Sequence, residues 1–219
     1  MSRYGALLAL SLLVKFAALD VGPNVLDPLI ERLQQRYSSV QSVAARFTQT
    51  YRAPGVEQVE SGEMFMKKPG LMRWEYNVPE IKLFITDEKS SYLYTPEDRQ
   101  VLVSSFSAAD LRSTPLQFLL GQGKIASSFT YSLEEKDKAK AQGTVLIRLT
   151  PRSQQAEYDY VLIECDEKTV ELKRLVIYEL TGSSSEFVFS HLVTNPKLDN
   201  SKFRFKIPKG VEVVQIDDK

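Results

Sequence analysis

Between residues 47 and 96, apolar and polar positions alternate in short runs separated by turn residues: Gly62, the Lys67-Lys68-Pro69-Gly70 quartet, Pro79, Asp87 and Pro96. Period-two alternation predicts strands, and the breakers stand too close together for crossover helices, so the stretch predicts an antiparallel meander. Some runs are apolar at both parities, as in Met64-Phe65-Met66 and Leu83-Phe84-Ile85. A sheet built from them has two apolar faces, and each must be covered or must bind something. Upstream, Leu29, Ile30, Leu33, Tyr37 and Val40 recur at helical spacing with polar residues between, which predicts an amphipathic helix capped by Asp27 with Pro28 at its first position. Its apolar stripe belongs on one face of the meander, either as fixed core or as a movable cover. Downstream, Thr114 as N-cap, Pro115 next to it and Gly121 just past the end predict a helix of one to two turns that is apolar nearly all round. Alone it is too short to persist, so it holds only by packing.

Alternation then returns, predicting strands over 129–133, 144–150, 158–165, 171–179 and 185–193, before a closing segment with Asn195, Pro196, Phe203, Phe205, Pro208, Gly210 and Val213. The charged run 134–140 reads as a solvated loop. No internal repeat or long linker divides the chain. With 219 residues, the expectation is one domain over 23–219.

Charge changes the picture by exclusion. The 28 basic and 28 acidic residues leave no net positive field, which argues against nucleic acid as a partner. Arg3 followed by an apolar run over 5–14 and then Phe16 to Leu19 predicts a signal peptide over about residues 1–22 and therefore export; Lys15 interrupts the core, and an uncleaved amphipathic helix is the other reading. No cysteine follows that run, so no lipid attachment is expected. The single Cys165 sits in an apolar strand, as buried filler or as a reactive thiol.

Candidate catalytic chemistry is sparse. His191 is the single histidine, and no GxSxG, HExxH or paired-cysteine motif accompanies it. One His and one Cys do not make a metal ligand set, and no cofactor motif is present. Glu60, Glu63 and Glu75 read as the solvated face of the meander, with a glycosidase-like pair as the other reading. Trp74 is either a sugar-stacking platform or a lining of core or cavity.

Taken in order, the amphipathic helix, Phe47-Thr48-Gln49, Gly62, the Lys68-Pro69 turn, Trp74, Tyr94 with Pro96, Thr114-Pro115 and its apolar helix, and the closing Phe203, Phe205, Pro208, Gly210 and Val211 resemble the periplasmic outer-membrane lipoprotein carrier family, LolA. The resemblance runs over about 29–213. It implies a mainly β fold: an unclosed antiparallel β-barrel whose apolar cavity lies beneath short lid helices. It implies a periplasmic, cofactor-free, monomeric chaperone, not an enzyme. Such a protein takes acylated lipoproteins from an inner-membrane ABC-type releasing complex and delivers them to an outer-membrane receptor. The acyl-chain cavity is then expected from Phe47, Met64, Met66, Met72, Trp74 and Phe84, with Leu116, Leu119 and Leu120 of the lid filling it when empty. Two positions depart from the family pattern. Lys68 stands where an arginine usually latches the lid helix, and it lacks that residue's planar fork. Met72 stands where an aromatic is common, and its flexible thioether adapts to irregular ligands. A general lipid binder is the alternative, and an envelope-stress sensor on the same fold is a further one.

Overall fold

The computed structural model describes residues 25–106, 123–153 and 158–216. The leader expected at 1–22 and the short apolar helix expected at 114–121, with Leu116, Leu119 and Leu120, lie outside them. Helix α1 (Asp27–Ser38) forms where the 3.6-residue period predicts it and buries Ile30, Leu33 and Tyr37 on one side. Its start differs from the expected cap. Leu26 is the N-cap, without a side-chain capping bond, and Asp27 is already helical. The Asp27 carboxylate instead accepts a hydrogen bond from the Tyr131 hydroxyl at 2.5 Å, a tertiary tie that no local pattern encodes.

The strands follow as β1 (Ser42–Ala53), β2 (Val56–Lys67), β3 (Leu71–Val78), β4 (Lys82–Asp87), β5 (Ser90–Thr95), β6 (Gln100–Ser105), then a single helical turn α2 (Ile125–Ser128), β7 (Phe129–Leu133), β8 (Thr144–Pro151), β9 (Tyr158–Asp166), β10 (Leu172–Glu179), β11 (Ser184–Thr194) and β12 (Glu212–Ile216). Among the described residues they form one sheet in the order β12-β6-β5-β4-β3-β2-β1-β11-β10-β9-β8-β7. Its edges, β12 and β7, do not pair with each other, so the barrel is unclosed. Every neighbouring pair is antiparallel except β12 with β6, which is parallel and departs from the uniform meander. That exception follows from the path of the chain. Leaving β11 beside the start of β1, the chain crosses the outer face of β1–β5 and reaches β6 from the opposite end.

That crossing covers one of the two apolar faces. Ser42 Oγ donates to the Pro196 carbonyl, Lys67 Nζ to the Leu198 carbonyl, and Arg73 Nη1 to the Lys202 carbonyl. Lys202 Nζ lies 3.5 Å from the centroid of the Phe65 ring, and the Phe205 ring contacts Tyr92 and Tyr94. Phe203, in a 3₁₀ turn (Asn200–Phe203), is buried. On the other half of the outer face, the charged loop over 134–143 is more than a solvated excursion. Most of its side chains are exposed, yet its backbone folds back onto Glu164, whose Oε1 accepts from the Lys140 and Ala141 N–H groups. Arg174 bridges Glu164 at 2.7 Å and Glu186 at 3.4 Å and donates to the Lys138 carbonyl. All three of these charged side chains are buried, and pairing with hydrogen bonding is what makes that tolerable.

Candidate functional site

The inner face is built by register. Opposite residues share a face, so Val43, Met66, Met72 and Thr86 form one row across β1–β4, and Ala45, Met64, Trp74 and Phe84 form the next. A third row carries Phe47, Gly62, Tyr76 and Lys82, and Gln49 opposite Glu60 ends the face at the hairpin side. Phe47 packs edge-on against Trp74 at 4.8 Å and against Tyr76 at 5.1 Å, and Trp74 meets Phe187 of β11 at 5.7 Å. Of the residues expected to line a cavity, Phe47, Met64, Met66, Met72 and Trp74 are buried in one apolar cluster that also holds Leu26, Ile30, Leu33 and Tyr37 of the helical segment. Phe84 packs against that cluster and is only partly buried. Leu116, Leu119 and Leu120 are not among the described residues.

Gly62, which the alternation pattern marks as a breaker, shapes this face. A Cβ built there would lie 1.9 Å from the carbonyl oxygen of Glu75 on the neighbouring strand. The register shift between Ser61 and Gly62 leaves Asn77 as the extra residue of a bulge. The missing side chain lets β3 approach closely beneath Phe47 and brings Trp74 and Tyr76 against its ring.

Helix α1 is held by buried apolar residues and by bonds to the β9–β10 turn, to the segment at α2, to β10 and to the β2–β3 turn. Arg32 donates to the Glu167 and Lys168 carbonyls in the β9–β10 turn. The Gln34 amide donates to the Gly123 carbonyl and accepts from the Ile125 N–H, fixing α1 to α2. The Tyr37 hydroxyl accepts from the Leu172 N–H, and burial pushes its pKa up, so it stays a neutral phenol. At the helix C-terminus, Lys68 Nζ donates to the Ser38 carbonyl at 3.3 Å. Its described partner is therefore α1, and the expected bond to the helix at 114–121 lies outside the described residues. Burial holds the Lys68 ammonium below its usual pKa.

The remaining candidates separate from this face. Cys165 is fully buried and burial pushes its thiol up to about 11, as for packed filler and not a reactive thiolate. His191 is exposed, with φ +52 beside an irregularity in the β1–β11 pairing, and lines a shallow outer depression with Arg46, Glu63 and Phe65. Glu63 and Glu75 face outward, paired to Arg46 and Arg73. Glu60 does not join them, contrary to expectation. It shares parity with Met64 and Met66, is 9% exposed, and is paired to Lys82 on the inner face. Among the described residues no group of His, Cys, Asp and Glu could hold a metal, and no helix is long and apolar enough to cross a membrane.

An open antiparallel sheet, curved around an apolar inner face with a helix in the same core, defines a β half-barrel. The family is settled by sequence: residues 38–206 match the model for the outer membrane lipoprotein carrier protein LolA, and the chain belongs to that family. An outer-membrane lipoprotein carrier protein of Azotobacter vinelandii is 32% identical over 208 residues, covering 93% of this chain and 97% of its own length. One from Neisseria gonorrhoeae is 29% identical over 185 residues, covering 84% and 86%. An uncharacterized conserved protein from Thermus thermophilus has a similar fold, with a TM-score of 0.52 at 14% identity, covering 86% of this chain and 98% of its own.

Proposed function

We propose that this protein is a periplasmic chaperone that binds the acyl chains of lipoproteins on its inner face and shuttles them towards the outer membrane. The observation that carries the reading is the unbroken apolar surface of Phe47, Met64, Met66, Met72, Trp74 and Phe84 across adjacent strands of an unclosed barrel, in a chain of the lipoprotein carrier family. The signal sequence at 1–22 takes it to the periplasm, and 23–219 acts as one carrier domain and as a monomer. An inner-membrane ABC-type complex supplies the cargo and an outer-membrane receptor accepts it. The role is binding and release without catalysis, and His191→Gln leaves transfer unchanged.

Energetics favours exchange over simple insertion. At about 0.8 kcal/mol per CH₂, three chains of about sixteen carbons represent about 40 kcal/mol of transfer from water, whereas affinities saturate near about −20 kcal/mol. A carrier that must also unload gains by covering its empty face with its own side chains, which the incoming chain then replaces. The test uses an apolar fluorescent probe bound to the protein. An acylated lipopeptide displaces it and the same peptide without acyl chains does not; equal displacement by both would overturn the reading in favour of a peptide-binding sensor.

A further inference from the structure

The inner face is not apolar throughout. Along each strand from the α1 end towards the hairpin end its character changes in step: Met66, Met64, Gly62, Glu60 on β2; Met72, Trp74, Tyr76 on β3; Thr86, Phe84, Lys82 on β4; Val43, Ala45, Phe47, Gln49 on β1. The polar end is one connected cluster. Lys82 Nζ is ion-paired to Glu60 and lies 4.9 Å from the centroid of the Tyr76 ring. The Tyr76 hydroxyl donates to Gln49 Oε1 at 3.1 Å, and Gln58 Nε2 donates to Glu60 at 3.3 Å. The Glu60 and Lys82 side chains are only 11% and 22% exposed.

Two features separate this cluster from an ordinary surface pair. An ion pair this sheltered is no better for stability than two apolar side chains of similar size, so the fold does not require it. The cluster also holds donors that it does not use. An ammonium has three N–H donors and Lys82 uses one of them on Glu60; the Gln49 amide has two, and among the described residues its nitrogen makes no hydrogen bond. Spare donors at the end of an apolar trough match a ligand with long hydrocarbon at one end and carbonyl acceptors at the other.

We infer that Gln49, Tyr76 and Lys82, oriented by Glu60, form a polar subsite for the ester and amide carbonyls that join a lipoprotein's acyl chains to its peptide, with the chains laid over the methionine and tryptophan rows. The inference rests on the carrier reading and assigns the direction in which cargo lies: hydrocarbon towards the α1 C-terminus, peptide leaving at the turns that join β1 to β2 and β3 to β4.

The test compares two synthetic lipopeptides of equal chain length, a diacylglyceryl-cysteine peptide and its dialkyl ether counterpart, which lacks the ester carbonyls. Each is titrated against an apolar naphthylamine probe. The parent protein binds the ester form about tenfold more tightly, equivalent to about 1.4 kcal/mol. The double variant Lys82→Met with Glu60→Met removes both charges together, keeps a thermal midpoint at or above the parent's, and lowers the ester-to-ether ratio towards one. Gln49→Leu, which leaves the ion pair in place, lowers the ratio as well. A ratio near one in the parent, or a ratio preserved in both variants, overturns the subsite and leaves the carrier reading standing. Failure of both lipopeptides to displace the probe from the parent overturns the subsite and the carrier reading together.

Discussion

Replacing Gly62 by alanine tests how the inner face is assembled. The new Cβ would stand 1.9 Å from the Glu75 carbonyl oxygen, whereas real Cβ atoms stay beyond 3.0 Å, so β2 and β3 must separate by more than about an ångström. The obstacle is backbone and cannot swing aside as a side chain would. Overpacking of a filled interior costs about 1–3 kcal/mol. The separation also pulls Trp74 and Tyr76 away from Phe47, at about 0.5–1.5 kcal/mol for each edge contact, and weakens ladder hydrogen bonds worth about 1 kcal/mol each. These losses overlap, so the expected total is about 3–5 kcal/mol. At about 2–4 °C per kcal/mol for a chain of this size, the thermal midpoint falls by about 6–20 °C. Urea unfolding should show the loss as a lower midpoint with an unchanged slope, because the surface exposed on unfolding is the same. Ser61→Ala, one residue earlier on the same strand, should change stability by less than about 0.5 kcal/mol. If Gly62→Ala were as mild as Ser61→Ala, the close approach of the strands would not be what sets the aromatic contacts.

Arg174→Met should cost about 3–5 kcal/mol at neutral pH, because it leaves Glu164 and Glu186 buried without their shared partner. In the parent, burial opposes ionisation of both carboxylates, but hydrogen bonds from Lys140, Ala141, Thr144 and Arg174 to Glu164, and from Lys140 and Arg52 to Glu186, hold them below the ordinary 4.5. Their contribution is therefore present above about pH 4.5 and lost as pH falls through the lowered folded values. The gap between parent and variant should narrow below about pH 4.5 in urea titrations, and a gap that stayed constant with pH would show that Arg174 acts by packing alone. For the latch, Lys68→Leu removes a cation and a donor from the C-terminus of α1, worth about 0.3–1 kcal/mol. It should load lipoprotein at least as well as the parent and release it to an immobilised receptor about two- to fivefold more slowly, with Lys68→Arg showing the opposite trend or none; equal loss of loading and release would make Lys68 a structural turn residue.

What the sequence made legible is what repeats locally. The helix over Asp27–Ser38 and the strands from β7 to β11 fall within a residue or two of their predicted positions, because each carries an uninterrupted apolar period bounded by polar turns. Other features depend on partners far along the chain. The parallel pairing of β12 requires the crossing segment, whose bonds reach back more than a hundred residues to Lys67 and Arg73. The tie of Lys68 to Ser38 places its cation on the helix before the sheet, a choice that the turn sequence leaves open. Glu60 is different, because its signal was present. Counting in twos from Met64 puts it on the inner face, but grouping it by charge with Glu63 and Glu75 hid that parity. Gly62 was visible as a strand glycine, but only the neighbouring carbonyl shows why a side chain is barred there.

The two apolar faces of this sheet receive different kinds of cover, and the difference bears on how a carrier unloads. Outside, the crossing segment is fixed by buried Phe203, by tilted aromatic contacts and by hydrogen bonds at several points, and the loop over 134–143 is fixed by a buried ion network. Nothing there is easily displaced. Inside, the helical segment contributes four buried side chains, Leu26, Ile30, Leu33 and Tyr37, to the cluster that contains the inner face. At about 1.5–3 kcal/mol each, exposing them to water costs about 6–12 kcal/mol, far more than the lysine at the helix end contributes. The helix therefore does not open spontaneously to any useful extent. One sixteen-carbon chain brings about 13 kcal/mol of its own transfer energy, the same order as the contacts it would replace. Exchange between helix side chains and acyl chain is then close to balanced, and under that condition an increment as small as the Lys68 bond shifts the partition between loaded and empty forms severalfold. A latch at Lys68 would then bias the carrier towards its empty form, while the apolar contacts supply a barrier to exposing the face in water.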